Sequence, residues 1–294
     1  MDLADDHPAP QMEAGGLRRW LRRAARKLLP ARWLIAPGLR PLLGLGRSHG
    51  HILDRIEQQA VEYSLDSTIG QLLYLHGEFE RPEAEFICRR LQAMPGAVMI
   101  DAGANIGLHS IKAGRLAGVG RIYAFEPARE TFAMLTRNIA RNNLADKITA
   151  CPLALGAGAG RAQFHFCADD AYSSLIPDGR RAVSAHYEVE VAGLDGWLAT
   201  ANVGRVGLIK IDVEGGEAGV ISGAEEMLRR QRPELLIEIF QGNRISFSAE
   251  ALVRRICALG YEAFVLRAGE PVAFVRHDDE HFNYFFRPST ECPP

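Results

Sequence analysis

Apolar positions along this chain follow two rhythms, and the alternation between them predicts its elements. Val98-Met99-Ile100 is a short apolar run ending at Asp101, the signature of a strand buried on both faces. Similar runs stand at 121–125, 147–155, 206–213 and 234–239. Between them, apolar residues at helical spacing predict helices at 107–117, 128–142, 194–200, 217–230 and 248–259. An earlier helix is predicted at 82–93, where Phe86, Ile87, Arg90 and Leu91 are spaced for one buried side; Pro95-Gly96 ends it and starts the strand at 97–101. Period-two segments at 162–167 and 187–191 predict an antiparallel excursion, and strands near 261–267 and 282–287 close the pattern. Strands alternating with helices predict an α/β domain with a mostly parallel sheet covered on both faces.

The first fifty residues read differently. Residues 1–16 are polar with Pro and Gly and are expected to lack fixed structure. Over 17–29, Leu17, Leu21, Ala24 and Leu28 recur at helical spacing among six basic residues and Trp20, and Pro30 ends the segment. Such a helix is expected to pack on the domain with its basic face solvated; peripheral contact with an anionic membrane is the alternative. Prolines and glycines make 30–50 a linker, so the expected organisation is an extension at 1–50 and one domain at 51–294, with a core at about 75–287.

Composition narrows the classes. An apolar content of 47% and a charged content of 24% are those of an ordinary globular protein. Residues 1–50 carry nine Lys/Arg against four Asp/Glu, so the remainder is acidic and the net charge is −2, which offers no argument for nucleic acid. Five scattered cysteines, without a Cys-x-x-Cys pair, suit a reducing compartment. No secretory pattern opens the chain, and no apolar run approaches the roughly 18 residues of a membrane span. The expectation is a cytoplasmic protein.

The chemistry gathers at strand ends. Asp101-Ala102-Gly103-Ala104-Asn105-Ile106-Gly107 passes from a strand into helix-like sequence, at the place where ligands bind a parallel sheet. Glu126, followed by Pro127, closes the next strand 25 residues on, where an acid can accept hydrogen bonds from both ribose hydroxyls; a helix N-cap is its bland reading. The ligand is then a nucleoside. A dinucleotide loop wants Gly-x-Gly-x-x-Gly, but Asn105 and Leu108 stand at the second and third glycine positions. S-adenosylmethionine has no phosphate to cradle and fits better. A second cluster, Asp212, Glu214 and Glu217 with Gly215-Gly216, follows the fourth parallel strand. Glu217 suits a helix's first turn, whereas Asp212 and Glu214 are harder to explain as caps. Lys210, inside a buried strand, needs an acidic partner.

Four stretches, Val98–Gly107, Phe125-Glu126-Pro127, Ile209–Gly215 with Glu217, and Pro233–Glu238, occur in an order that resembles the FkbM family. That resemblance spans roughly residues 75–287, including Glu78-Phe79-Glu80 and Leu194-Asp195. It implies a class I methyltransferase (Rossmann-like), doubly wound sheet of about seven strands with the last antiparallel, and S-adenosyl-L-methionine-dependent methylation of a hydroxyl on a sugar, glycan or natural product. Gly216 departs from the family, which usually has a side chain there, so no histidine base is available at that position.

Alignment of acceptor oxygen, methyl and sulfur is the main task of such an enzyme, and a hydroxyl must also lose its proton to a base. The expected bases are Asp212 first, then Glu214 and Glu238; the expected donor-binding residues are Asp101, Gly103, Asn105, Gly107, Glu126 and Pro127. His109 is expected to lie too far round its helix, and Ser173-Ser174 to touch adenosine or acceptor. No metal is required, and no clear ligand set is seen. The rival readings are a non-catalytic binding module and a nicotinamide-dependent oxidoreductase. Acceptor recognition is expected from 51–95, 160–190 and 241–247.

Overall fold

The computed structural model describes residues 51–167, 173–175, 183–240, 248–278 and 280–290. The helix expected at 17–29, the linker at 30–50 and the loop at 241–247 lie outside them.

The described chain opens on an antiparallel hairpin, β1 (His51–Ile56) and β2 (Gln59–Ser64). Its turn residues Glu57 and Gln58 both have positive φ, 46° and 70°, the conformation of a two-residue turn that matches strand twist. Helix α1 (Thr68–His76) starts at Ser67, whose hydroxyl accepts from the Gly70 N–H, and stops at left-handed Gly77. Helix α2 (Arg81–Gln92) is the helix expected at 82–93. The hairpin and α1 were not foreseen in this segment: β1 alternates in burial, but apolar Leu53 is on the exposed side and Asp54 on the other, so its residue types do not alternate.

From there strands and helices alternate: β3 (Val98–Ala102), α3 (Leu108–Gly114), β4 (Ile122–Phe125), α4 (Arg129–Arg141), β5 (Ile148–Cys151), β6 (Ala154–Leu155), β7 (Gly160–Cys167), β8 (Val183–Ala192) and α5 (Leu194–Thr200). Then come β9 (Val206–Ile211), α6 (Glu217–Ser222), α7 (Glu225–Gln231), β10 (Glu234–Glu238), α8 (Ala249–Ala258), β11 (Tyr261–Arg267), β12 (Glu270–Ala273) and β13 (Asn283–Pro288). Eight strands form one sheet in the order β12-β11-β13-β10-β9-β3-β4-β5. Strands β10, β9, β3, β4 and β5 run parallel, and β13 runs antiparallel to β10 and β11. The antiparallel last strand is as expected. The eighth strand, β12, is an exposed edge with no burial pattern to betray it.

Two expected elements are each broken once. The strand at 147–155 divides at Pro152, which cannot donate to a ladder, and β6 joins β8 and β7 in a separate three-stranded sheet. The helix at 217–230 divides at Gly223, where a Cβ would lie 2.1 Å from the Gly156 carbonyl oxygen.

Strand parity sets where charge can go. One face of the sheet carries Val98, Ile100, Ile209, Ile211, Leu235 and Ile237, packed on α5 to α8 through Val220, Leu228 and Val253. The other carries Met99, Leu208 and Leu236, packed on α2, α3 and α4 through Phe86, Leu91, Ile111 and Leu135. Asp101, Lys210 and Glu238 share the parity of this second set, two residues further along each strand. They therefore meet at the carboxyl edge, on the side where α2 and α3 begin.

Candidate active site

The chain leaves β3 toward β4 and β5 on one side and returns through β9 and β10 on the other, which opens a crevice at the carboxyl ends of β3 and β9. A cavity of about 230 Å³ occupies it. One end is apolar, walled by Phe125, Pro127, Leu153, Leu155, Phe164 and Leu175. Glu126 stands beside it, and Glu80, His109, Lys210, Asp212, Glu214 and Glu238 line the rest.

The loop between β3 and α3 forms the wall between these ends. Gly103, at φ 77°, lets it pass against the end of β9: a Cβ there would lie 1.8 Å from the Asp212 carbonyl oxygen. The Asn105 N–H donates to Glu126 Oε2 at 3.0 Å and the Ala128 N–H to Oε1 at 2.8 Å, so the carboxylate is held at two points on the cavity rim. Glu126 thus ties down the entry to α4 while facing the cavity. Asn105, Glu80 and Glu214, all lining the cavity, adopt left-handed backbone at φ 49°, 43° and 54°. Residues held in sparsely populated backbone often cluster at ligand sites, and three stand in this crevice.

The carboxylate end is organised by Lys210. It faces Asp101 in the β3–β9 register; its Nζ donates to Asp212 Oδ2 at 3.1 Å and lies 4.0 Å from Asp101 Oδ1. Burial alone would favour a neutral amine, but the Asp212, Asp101 and Glu80 charges outweigh it and hold the lysine protonated. Glu80 precedes α2 without capping it; its Oε2 pairs instead with His109 Nε2 at 2.9 Å. Burial works to raise the Glu80 pKa, but the His109 bond and charge, with Lys210, bring it below the ordinary carboxylate value.

Glu238 goes the other way. The Asp212 charge, then burial, then Glu80 and Glu214, raise its pKa well above the ordinary value against the pull of Lys210. Oxygens of Asp212, Glu214 and Glu238 all lie within 4.8 Å of one another, the one such group of three metal-type ligands among the described residues. No clear set of this kind was legible in the sequence, because Glu238 arrives from a different strand. A divalent cation would relieve that crowding; here the Lys210 ammonium supplies the fixed positive charge beside Asp212.

The family model of the methyltransferase FkbM domain matches residues 101–263. The chain belongs to the FkbM family of methyltransferases. Among its relatives, 31-O-demethyl-FK506 methyltransferase FkbM of Streptomyces tacrolimicus is 27% identical over 185 residues, covering 49% of this chain and 70% of that protein. Methyltransferase sdnD of Sordaria araneosa is 27% identical over 208 residues, covering 58% and 80%. A crystal structure of methyltransferase FkbM from Methylobacillus flagellatus aligns at 19% identity and a TM-score of 0.43, over 74% of this chain and 52% of that one.

Within this FkbM-family domain most of the expected site residues come together. Gly103, Asn105, Glu126, Pro127, Asp212, Glu214, Glu238, Ser173 and Ser174 all line the cavity. Asp101 and Gly107 do not. Asp101 is fully buried behind Lys210, with Ser110 donating to its Oδ2 at 2.6 Å. Gly107 stands at φ 92°, a left-handed position that favours glycine, just before α3. Glu217 is buried away from the cavity and accepts from the Gly215 N–H at 2.7 Å, bracing the loop that carries Glu214. His109, expected to lie too far round, is the second residue of α3 and lines the cavity, because the loop aims the start of that helix at it. Thr68 and Ile69, from unforeseen α1, also line it.

Proposed function

We infer that this methyltransferase uses S-adenosylmethionine to methylate a hydroxyl of a sugar, glycan or natural product. One observation carries the reading: a single cavity joins an apolar slot flanked by a fixed carboxylate to an end lined by four carboxylates. The slot of Phe125, Leu153, Leu155 and Phe164 suits a flat base, and Glu126 suits a ribose diol, its second lone pairs remaining after the Asn105 and Ala128 bonds. The N–H groups of the β3–α3 loop are already engaged. Gly103 and Ala104 donate to the Phe125 carbonyl, Asn105 to Glu126, Ile106 to Asn105 Oδ1 at 2.8 Å and Gly107 to the Ala104 carbonyl, which does not suit a pyrophosphate. The 31-O-demethyl-FK506 methyltransferase among the relatives supports an oxygen acceptor.

S-adenosylmethionine, when bound, supplies an already activated methyl group on a sulfonium. The chain's task is then to align an acceptor oxygen, an effect worth roughly 7–11 kcal/mol in favourable cases, and to take its proton. Asp212 was the first candidate base, but its Oδ2 is held by Lys210. Glu238, whose proton affinity is lifted by its neighbours, is the better acceptor for a hydroxyl proton. Glu80, oriented by His109 at the same end of the cavity, is placed to accept a hydrogen bond from a second hydroxyl of the acceptor.

Thermal stabilisation by S-adenosylhomocysteine compared with NAD tests this reading. At a hundredfold excess over Kd, a ligand binding only the folded state adds about 2.7 kcal/mol. A rise with S-adenosylhomocysteine and none with NAD is expected; the reverse overturns the assignment.

A further inference from the structure

Helix α4 holds the hairpin through two asparagines one turn apart. Asn142, at its C-terminal cap, accepts from the Ala60 N–H at 3.1 Å and donates to the Ala60 carbonyl at 2.8 Å. Asn138 treats Glu62 in the same way: its Oδ1 accepts from the N–H at 2.7 Å, and its Nδ2 donates to the carbonyl at 3.0 Å. The two amides thus stand where a further strand would pair with the backbone of β2. They differ in what else the amide nitrogen reaches, since each carries two N–H groups. Asn142 Nδ2 returns to its own helix, to the Asn138 carbonyl at 2.8 Å. Asn138 Nδ2 crosses to the β3–α3 loop and donates to the Ile106 carbonyl at 3.0 Å.

Ile106 is the junction between loop and hairpin. It lines the cavity, and its side chain packs with Val61 and Tyr63 of β2 and Leu73 of α1. The peptide that joins it to Gly107 is gripped on both sides, its carbonyl by Asn138 and its N–H by the Ala104 carbonyl at 2.9 Å. Gly107, at φ 92°, has no Cβ to resist rotation of that peptide, so these bonds must hold it. One peptide back, the Ile106 N–H donates to Asn105 Oδ1 and the Asn105 N–H to Glu126 Oε2. A run of hydrogen bonds therefore leads from β2, through Asn138, to the carboxylate on the cavity rim. Asn138 itself is fully buried and is not part of the cavity wall.

We propose that Asn138 is a positioning residue for the methyl donor: by holding the Ile106 carbonyl it sets the loop that presents Asn105 and Glu126, and it ties donor binding to docking of the hairpin. This rests on the donor reading above. Without the amide, the Ile106 carbonyl and both backbone groups of Glu62 lose a buried partner, and the Ile106–Gly107 peptide can turn. The coupling runs both ways, so a donor that orders the loop also tightens the hairpin. Asn142 is the built-in control, because it holds the same strand and has no bond to the loop.

The test compares Asn138→Ala with Asn142→Ala in the full chain. Each loses bonds to β2, so each should lower the urea midpoint of unfolding. Calorimetric titration of S-adenosylhomocysteine should then separate them, with affinity within about twofold of wild type for Asn142→Ala and at least about tenfold weaker for Asn138→Ala. Equal affinities in the two variants overturn the proposal and leave the donor reading standing, provided the wild type binds. Failure of the wild type to bind overturns both. Where Asn138→Ala does not fold, residue-resolved hydrogen exchange of the wild type decides. S-adenosylhomocysteine should slow exchange at the Gly107 and Glu62 amides together, and by more than at the Ala60 amide held by Asn142. Slowing at Gly107 alone, or equal slowing at Ala60 and Glu62, overturns the proposal.

Discussion

The Lys210 ammonium donates to Asp212 Oδ2 across 3.1 Å, from a strand position that also places it opposite Asp101 in the sheet register. One buried cation therefore ties the first and fourth parallel strands to the loop that carries the reactive carboxylates. Replacing it with Met leaves two buried or half-buried acids without their partner. Lys210→Met should cost about 3–5 kcal/mol in denaturant unfolding, and the double variant with Asp101→Asn should recover part of that loss. Equal stability of Lys210→Met and wild type would show that the lysine does not hold this edge together.

Gly103 is the closest approach in the β3–α3 loop. A methyl group there would overlap the Asp212 carbonyl oxygen, and φ 77° is unfavourable for any side chain. Gly103→Ala should lower stability by about 1–3 kcal/mol and weaken S-adenosylhomocysteine binding at least tenfold, read by unfolding and calorimetry on the same sample. Tight binding by this variant would remove the loop from the donor site.

The carboxylates should separate by pH. Glu238→Gln is expected to lower turnover by about 10²–10⁴. Asp212→Asn removes the charge that most raises the Glu238 pKa. A base with a lower pKa is ionised to lower pH, so the acid limb of kcat/KM in Asp212→Asn should move down in pH. A limb that moves up, or does not move, assigns the base elsewhere.

Far from the cavity, Glu62 on β2 anchors the hairpin to α4. Arg137 hydrogen-bonds it, His51 lies 2.7 Å away and Arg141 2.6 Å, and Asn138 bonds its backbone N–H and carbonyl. The Arg137 bond, against the cost of burial and with help from His51 and Arg141, lowers its pKa to about 2. A carboxylate with a lowered folded-state pKa stabilises above its unfolded value near 4.5 and loses that contribution as pH falls toward 2. Glu62→Gln should cost about 1–2 kcal/mol at pH 7 and flatten the stability loss between those pH values. An unchanged acid limb would contradict the anchor.

Much of this was legible in the sequence. Buried parallel strands announce themselves as apolar runs, and their acidic ends, Asp101, Glu126, Asp212 and Glu238, mark the edge where ligands bind. Less legible was anything that depends on which face a residue occupies. Asp101 reads as a donor ligand until its pairing with Lys210 places it behind the wall. His109 reads as too far round until the left-handed turns at Gly103, Asn105 and Gly107 re-aim its helix. Strand β12 is exposed along its whole length, and β1 alternates in burial but not in residue type, since exposed Leu53 sits beside half-buried Asp54. Glu80 was visible only as part of a loop near the site; its engagement with His109 is a tertiary fact.

The crevice beside Glu126 is expected to hold a methyl donor. Calorimetric titration of S-adenosylhomocysteine into wild type and Glu126→Ala tests it most directly. One site per chain is predicted for the wild type, with at least a tenfold loss of affinity in the variant, since each hydrogen bond to a charged group is worth about 1.5–3 kcal/mol. Binding of NAD with no binding of S-adenosylhomocysteine, or affinity for S-adenosylhomocysteine unaltered by Glu126→Ala, would contradict it.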